Sequence, residues 1–438
     1  MTRSTIMRTL LNTLALGALA MVVPLSASAA EAVEIPDDAV AINDVDLHDA
    51  THAELMEALY GPTDWHYEVQ QAPRYLFVDK KGRVALGIGG KLKGTLQYDF
   101  DGSAGGNGSF VPNDIPVPMD PANRSGFNGT VNNSLIYLRL VGHSSKLGNY
   151  GAYIETQFSG GDNGDQFYLK QAWANIGYLR AGLATSVFND DDAAPYTIDE
   201  QGPAGGSCTE NVAVQWTPMF GESKALSLGI GIEVPQADYT TDGTSARSIN
   251  QRVPDIPVYF QYAWDDRASR VRLSAILRNL TYRNDIAGKN KNVTGWGVGL
   301  SGTIASLPRT TFYYQALYGK GIAQYINDQS GAGYDLVPVV GEDGKLHAPG
   351  SLGFFAGVQY DICDKLFVSG TYSQSRLYDQ EGLGADGYRY GQYVAATVVC
   401  TPVNGFECGL EYLWGKRTNI NHEAAHANRL MLMAAYSF

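Results

Sequence analysis

The stretch whose reading decides the fold is Arg429–Phe438, RLMLMAAYSF. Leu430, Leu432, Ala434, Tyr436 and Phe438 share one face of an extended chain, and Arg429, Met431, Met433, Ala435 and Ser437 share the other. The alternation runs into a terminal aromatic residue with no polar tail behind it. In hydrocarbon such a strand needs a partner on each edge, because every unpaired amide or carbonyl costs several kcal/mol there. The expectation is a closing strand that pairs with the first strand of a barrel.

Working outward, the same period of two begins at Val84. In VALGIGGKLKGTLQYDF the residues Leu86, Ile88, Leu92, Leu96, Tyr98 and Phe100 fall on one face, opposite Gly87, Gly89, Lys91, Lys93, Thr95, Gln97 and Asp99. Comparable segments recur to the end of the chain, including NSLIYLRLVGH, KALSLGIGIEV, RVRLSAILRNLTYR and FECGLEYLWG. They predict about sixteen strands of the ~10 residues that a tilted membrane barrel requires. Short connectors such as SSKLGN and DICDK alternate with long ones rich in Gly, Asp and Asn, giving one tight rim and one loop-bearing rim. The polar face is Gly, Ser, Thr and Gln with few charges, which suits a wet lumen. The other face is crowded with Leu, Ile, Val, Phe, Tyr and Trp, which suits lipid, and aromatics such as Trp173, Tyr178, Tyr259, Trp264, Tyr360, Trp414 and Tyr436 near strand ends suit interfacial girdles. The fold expected is all-β, a transmembrane antiparallel β-barrel of about sixteen strands. A soluble β-sandwich would carry its bulky apolar set inside and many charges outside.

Composition agrees with a β-rich chain: 50 Gly and 27 Tyr against only 18% charged residues. The opening MTRSTIMRTLLNTLALGALAMVVPLSASAAEA places Arg3 and Arg8 before an apolar run and a small-residue cleavage site, so residues 1–30 read as a secretory signal. The formal net charge of −13 becomes −15 once those two arginines leave, which argues against nucleic acid as a partner. Residues 31–80 form an acidic periplasmic leader in which HAELMEALYG predicts a short helix ending at Gly61-Pro62. The barrel is assigned to residues 81–438.

The stretch FYLKQAWANIGYLRAGLATSVFNDDDAAPYTIDEQGPAGG, residues 167–206, resembles the trimeric dicarboxylate-type (DcaP-like) porins and the wider phosphate-selective porin O and P group. LYGKGIAQYIND, residues 317–328, looks like a second signature of that family. The resemblance implies a homotrimeric outer-membrane porin of Gram-negative bacteria, embedded in outer-membrane lipid and passing small anionic metabolites, dicarboxylates among them. The terminal aromatic similarly implies recognition by the barrel-assembly machinery. Family members with a long periplasmic coiled coil show heptads that this leader lacks. Strand counting makes Val187–Cys208 the third outer loop, which in sixteen-stranded porins folds inward and narrows the pore.

Extending the alternation places Lys91, Lys93, Arg139, Lys170, Arg180, Arg270, Arg272, Arg278 and Arg429 on the lumen side, against Asp99, Glu155, Glu233, Glu407 and Glu411. A net basic wall predicts anion preference, although single members of the set can equally brace the barrel by pairing with acids. The constriction loop carries the opposite sign at Asp190, Asp191, Asp192, Asp199 and Glu200. Three roles stay open for those carboxylates: a transverse field across the pore, hydrogen bonds to the loop's own backbone, or Ca²⁺ binding.

Other signals point away from chemistry. HEAAH, His422–His426, matches the zinc-protease pattern but lacks the helix that would set both imidazoles on one side, so neither metal nor enzyme is expected. No cofactor is called for. Of Cys208, Cys363, Cys400 and Cys408, the second and third lie near the periplasmic ends of neighbouring strands, so a bridge is conceivable, with free thiols as the default. The function expected is passive diffusion of small hydrophilic solutes. The alternatives are a substrate-specific phosphate or oligosaccharide channel and a non-conducting structural or adhesin barrel.

Overall fold

The computed structural model describes residues 35, 39–61, 73–106, 108–161, 166–207 and 209–438. The signal segment, part of the leader and Cys208 lie outside the described residues. Sixteen long antiparallel strands close into a barrel. In chain order these are β1 (Val84–Asp99), β2 (Leu135–Ser144), β3 (Gly148–Gly160), β4 (Gln166–Ile176), β5 (Leu179–Thr185), β6 (Glu210–Trp216), β7 (Leu226–Glu233) and β8 (Ile256–Trp264). They continue as β9 (Ser269–Asn284), β10 (Lys289–Leu307), β11 (Thr310–Lys320), β12 (Gly350–Cys363), β13 (Leu366–Tyr378), β14 (Tyr388–Val403), β15 (Phe406–Asn419) and β16 (Ala424–Ser437). Each segment quoted from the sequence above lies in one of them.

Closure is where the terminal stretch predicts it. β16 pairs with β1 from Arg429 opposite Asp99 to Ser437 opposite Lys91, and Phe438 exchanges backbone hydrogen bonds with Gly90. Beyond that point β1 still has an open edge, which the leader strand Tyr75–Val78 takes up, with Val40–Ala41 adding in parallel outside it. Between them β16 and the leader strand pair with residues 85–88 and 90–99 of that edge of the first strand.

The faces sort by pleat. On β1 the outward Leu92, Leu96 and Tyr98 are 54%, 49% and 46% exposed, while the inward Lys93, Thr95, Gln97 and Asp99 are buried. On β16 Leu430, Leu432 and Tyr436 face out, while Arg429, Met431, Met433 and Ala435 face in. Outward apolar residues recur from Ile136 and Leu138 on β2 to Leu273 and Leu277 on β9 and Val398 on β14. Among the described residues no helix is long and apolar enough to cross a membrane.

The inner face differs from the uniformly wet lining that the alternation suggests. From β14 to β16 it is apolar: Tyr393, Ala395, Leu413, Ala427, Met431, Met433 and Ala435 pack beneath Phe110 and Ile115 of the loop 100–134 and Ile198 of the loop 186–209. On the opposite side Ile276 and Leu317 lie under Phe188, Ile322, Tyr325 and Ile326. The long loops therefore fold into the barrel and cover apolar wall that would otherwise face water.

The cysteines do not form the bridge that the sequence made conceivable. Register sets Cys363 opposite Leu366, and Cys400 opposite both Leu366 and Cys408, so Cys363 and Cys400 do not face each other. All three are free thiols. The HEAAH residues lie in the turn before β16 and its first residues, with no helix: His422 meets Arg389, and His426 meets Asp101 at 2.8 Å.

Candidate functional site

The candidate site is the region where the loop 186–209 meets the inner face of the barrel wall. The loop leaves β5, meets the β9–β10 wall at Asn189–Asp192 and crosses to β12, where the Pro195 ring packs at Gly357. It then reaches β15 at Ile198–Asp199 and β1 at Glu200, and returns along β13, β12 and β11 to β6. It is bonded to the wall from β9 to β15 and touches the β1–β6 arc at its tip, through Lys93 and Gln157.

Each corner is held by buried ionic groups. Arg270 binds Asp190 at 2.6 Å and Asp192 at 3.0 Å. Arg272 donates to the Asn189 carbonyl at 2.9 Å and to Gln261 at 2.8 Å, and its guanidinium lies 4.2 Å from the Tyr259 ring centroid. Ser301 donates to Asp190 at 2.5 Å. Burial alone would raise the Asp190 carboxyl, but Arg270 and Arg272 outweigh it and hold it below the usual range. The neighbouring Asp191 differs, since both of its oxygens are buried without a hydrogen-bond partner. Burial, reinforced by Glu210, Asp192 and Asp190, pushes its carboxyl well above the usual range.

The second corner is a backbone clamp. Glu411 accepts the Ile198 and Asp199 amides at 2.8 Å each and the Thr397 hydroxyl at 2.6 Å. Asp199 accepts the Phe110 amide at 2.7 Å and the Tyr393 hydroxyl at 3.0 Å, tying two loops to the wall at one point. Burial and then the Glu411 carboxylate push the Asp199 carboxyl up to about 8, against those hydrogen bonds. At the tip Glu200 reaches Lys93 at 2.9 Å and Gln157 at 3.2 Å, and Lys93 also donates to the Ile198 carbonyl at 3.0 Å. Burial would raise the Glu200 carboxyl, yet Lys93 and Lys170 hold it down at about 2.

The remaining wall cations divide by the job they do. Arg278 is sealed beneath the loops between Asp255 and Asp335, each at 2.9 Å, and donates to the Gly321 carbonyl at 2.7 Å. Arg429 forks onto Asp99 at 2.6 and 3.0 Å and caps the Ser109 carbonyl at 2.6 Å. These two, with Arg270 and Arg272, fasten loops to the wall. On the β1–β6 arc Lys91 meets Glu407 at 2.9 Å, Lys170 stands 3.8 Å from Glu155, and Arg180 donates to Gln215 at 3.0 Å while lying over Trp173. Arg139 donates to the Ala58 carbonyl of the leader at 3.1 Å.

Alternation identified the wall charges but not their loop partners. Asp255, Asp335, Asp328 and Phe110 sit in irregular segments where no period marks a residue as buried. The one sequence hint was the 317–328 stretch, whose Gly321 and Asp328 do act as anchors, Asp328 accepting the Asn113 amide at 2.7 Å and the Tyr388 hydroxyl. Among the described residues no cluster suited to a metal ion is found.

A family model described as "Porin subfamily" matches residues 88–432. The outer membrane channel DcaP of Acinetobacter baumannii superposes with a TM-score of 0.71 at 20% identity, covering 83% of this chain and 99% of that one. An anion-selective porin from Comamonas acidovorans superposes with a TM-score of 0.51 at 11% identity, covering 81% and 100%. No curated protein matches in sequence.

Proposed function

Since the chain belongs to the porin subfamily and is a passive channel of the bacterial outer membrane, we propose that it prefers small anionic metabolites, dicarboxylates above all. One observation carries this reading. The β1–β6 arc bears Lys91, Lys93, Arg139, Lys170 and Arg180 on its inner face, and at the loop tip Lys93 pairs with Glu200 at 2.9 Å. The facing carboxylates of Glu200 and Asp192 set a field across the path rather than along it, which orients a dipolar solute without trapping it. Water and charge placement do the selecting; no bond is made or broken.

The test is the zero-current potential of the purified protein in a planar bilayer under a salt gradient. The reading requires the sign of anion preference, reduced when Lys93 and Lys170 are both changed to Gln. A potential of the cationic sign removes it.

Homotrimer assembly belongs to the same proposal. Tyr372, Gln374 and Gln392 turn outward on β13 and β14 and hydrogen-bond one another at 3.3 and 2.9 Å, a polar patch unsuited to lipid tails and suited to a neighbouring subunit. Delivery to the membrane by the barrel-assembly machinery through the aromatic closing strand completes it.

A further inference from the structure

The function above concerns the loop eyelet, and nothing in it uses the leader. Yet the leader helix α1 (Ala53–Tyr60) does not hang below the barrel. The pleat that turns Lys91 and Lys93 inward also turns Gly89, Gly87 and Ala85 inward, and register sets Tyr137, Arg139 and Val141 of β2 beside them. Ala85 and Val141 are buried against Leu55, Met56 and Leu59 of α1 and Leu47 before it. The helix thus rests on the inner face of the wall, at the rim that carries the short turns and the chain end. That rim is the periplasmic one in an outer-membrane barrel.

Its polar contacts show that it reaches across. Glu54 meets His143 at the end of β2, 3.0 Å away. Arg139, an inward residue of β2, donates to the Ala58 carbonyl in the last turn of the helix at 3.1 Å. Glu57 meets Lys224 at 3.6 Å, in the turn between β6 and β7. Following the wall, β2 and that turn are separated by β3, β4, β5 and β6, so the contacts bridge a chord of the mouth.

The attachment is fixed rather than hinged. Exposed ion pairs of this kind contribute little on their own. The seat is the apolar underside, with Leu55, Met56 and Leu59 nearly fully buried, together with the strand Tyr75–Val78 paired to β1. The wall is cut to receive it: a Cβ at Gly87 would meet the Pro73 ring at 2.4 Å, and one at Gly82 the Thr51 carbonyl at 2.0 Å.

We propose that α1 is a built-in crossbar of the periplasmic mouth, a second, exit-side constriction in series with the loop eyelet that limits the size of solute leaving the channel. The proposal rests on the channel being open and is independent of which ions it prefers.

The experiment uses the full chain with its four native cysteines changed to Ser and the substitution Glu57→Cys, whose side chain points across the mouth toward Lys224. Single-channel current is recorded while methanethiosulfonate reagents of increasing bulk are added on the short-turn side. A stepwise loss of current that grows with reagent size supports the crossbar. Unchanged current, with labelling verified by mass, overturns it. A second variant, Leu55→Asp with Leu59→Asp in the otherwise native chain, removes the apolar seat: conductance above the native level supports the proposal, and a barrel that inserts with native conductance overturns it.

Discussion

At the scale of single residues, most of the charge inside this barrel holds loops. Arg278 shows why the distinction matters. It is fully buried between two aspartates, and a buried pair that loses one partner leaves charge uncompensated at a cost of about 3 to 5 kcal/mol. Arg278→Ala is therefore expected to lower the barrel's unfolding midpoint strongly in urea titrations followed by heat-modifiable gel mobility. Asp199 gives a pH dependence of defined sign. With its carboxyl raised from 3.8 to about 8, the folded chain holds a proton there that the unfolded chain releases across that window. Stability from this site is therefore full below 3.8, declines as pH climbs toward 8 and levels off above it. Above pH 8 two carboxylates, Asp199 and Glu411, face each other under the loop, and current noise from loop motion is expected to rise; noise that stays flat across that value contradicts the assignment.

At the scale of elements, the strands and the loops obey different rules, and that explains what could be read in advance. A strand with one face buried inside and the other turned outward writes its structure as a period of two, so β1 and β16 were legible residue by residue, down to Leu430 outward and Arg429 inward. Loop anchors carry no period, so Asp255 and Asp335 could not be matched to Arg278, and the apolar stretch under Phe110 and Ile198 was taken for wet lining. The conceivable Cys363–Cys400 bridge does not form because β13 lies between their strands, with Leu366 opposite both cysteines. Close approach of the constriction loop to the wall is itself testable. A Cβ at Gly205 would meet the Phe354 amide nitrogen at 2.4 Å and the Gln374 carbonyl oxygen at 2.3 Å. Gly205→Ala should lift the returning limb off β12 and β13, seen as a changed conductance and faster proteolysis of the loop in intact barrels.

At the scale of the whole molecule, closure and filling are separate achievements. Pairing of β16 with β1, extended by the leader strand, satisfies the backbone in hydrocarbon. Infolded loops then occupy much of the interior, and the proposed function requires a path past them. The account stands on that path being open to water, with the apolar side chains turned outward to lipid. Single-channel recording of the purified protein in a planar bilayer tests this most directly. A steady, long-lived current proportional to voltage is predicted. A barrel that inserts yet passes no more current than the bare bilayer would contradict it.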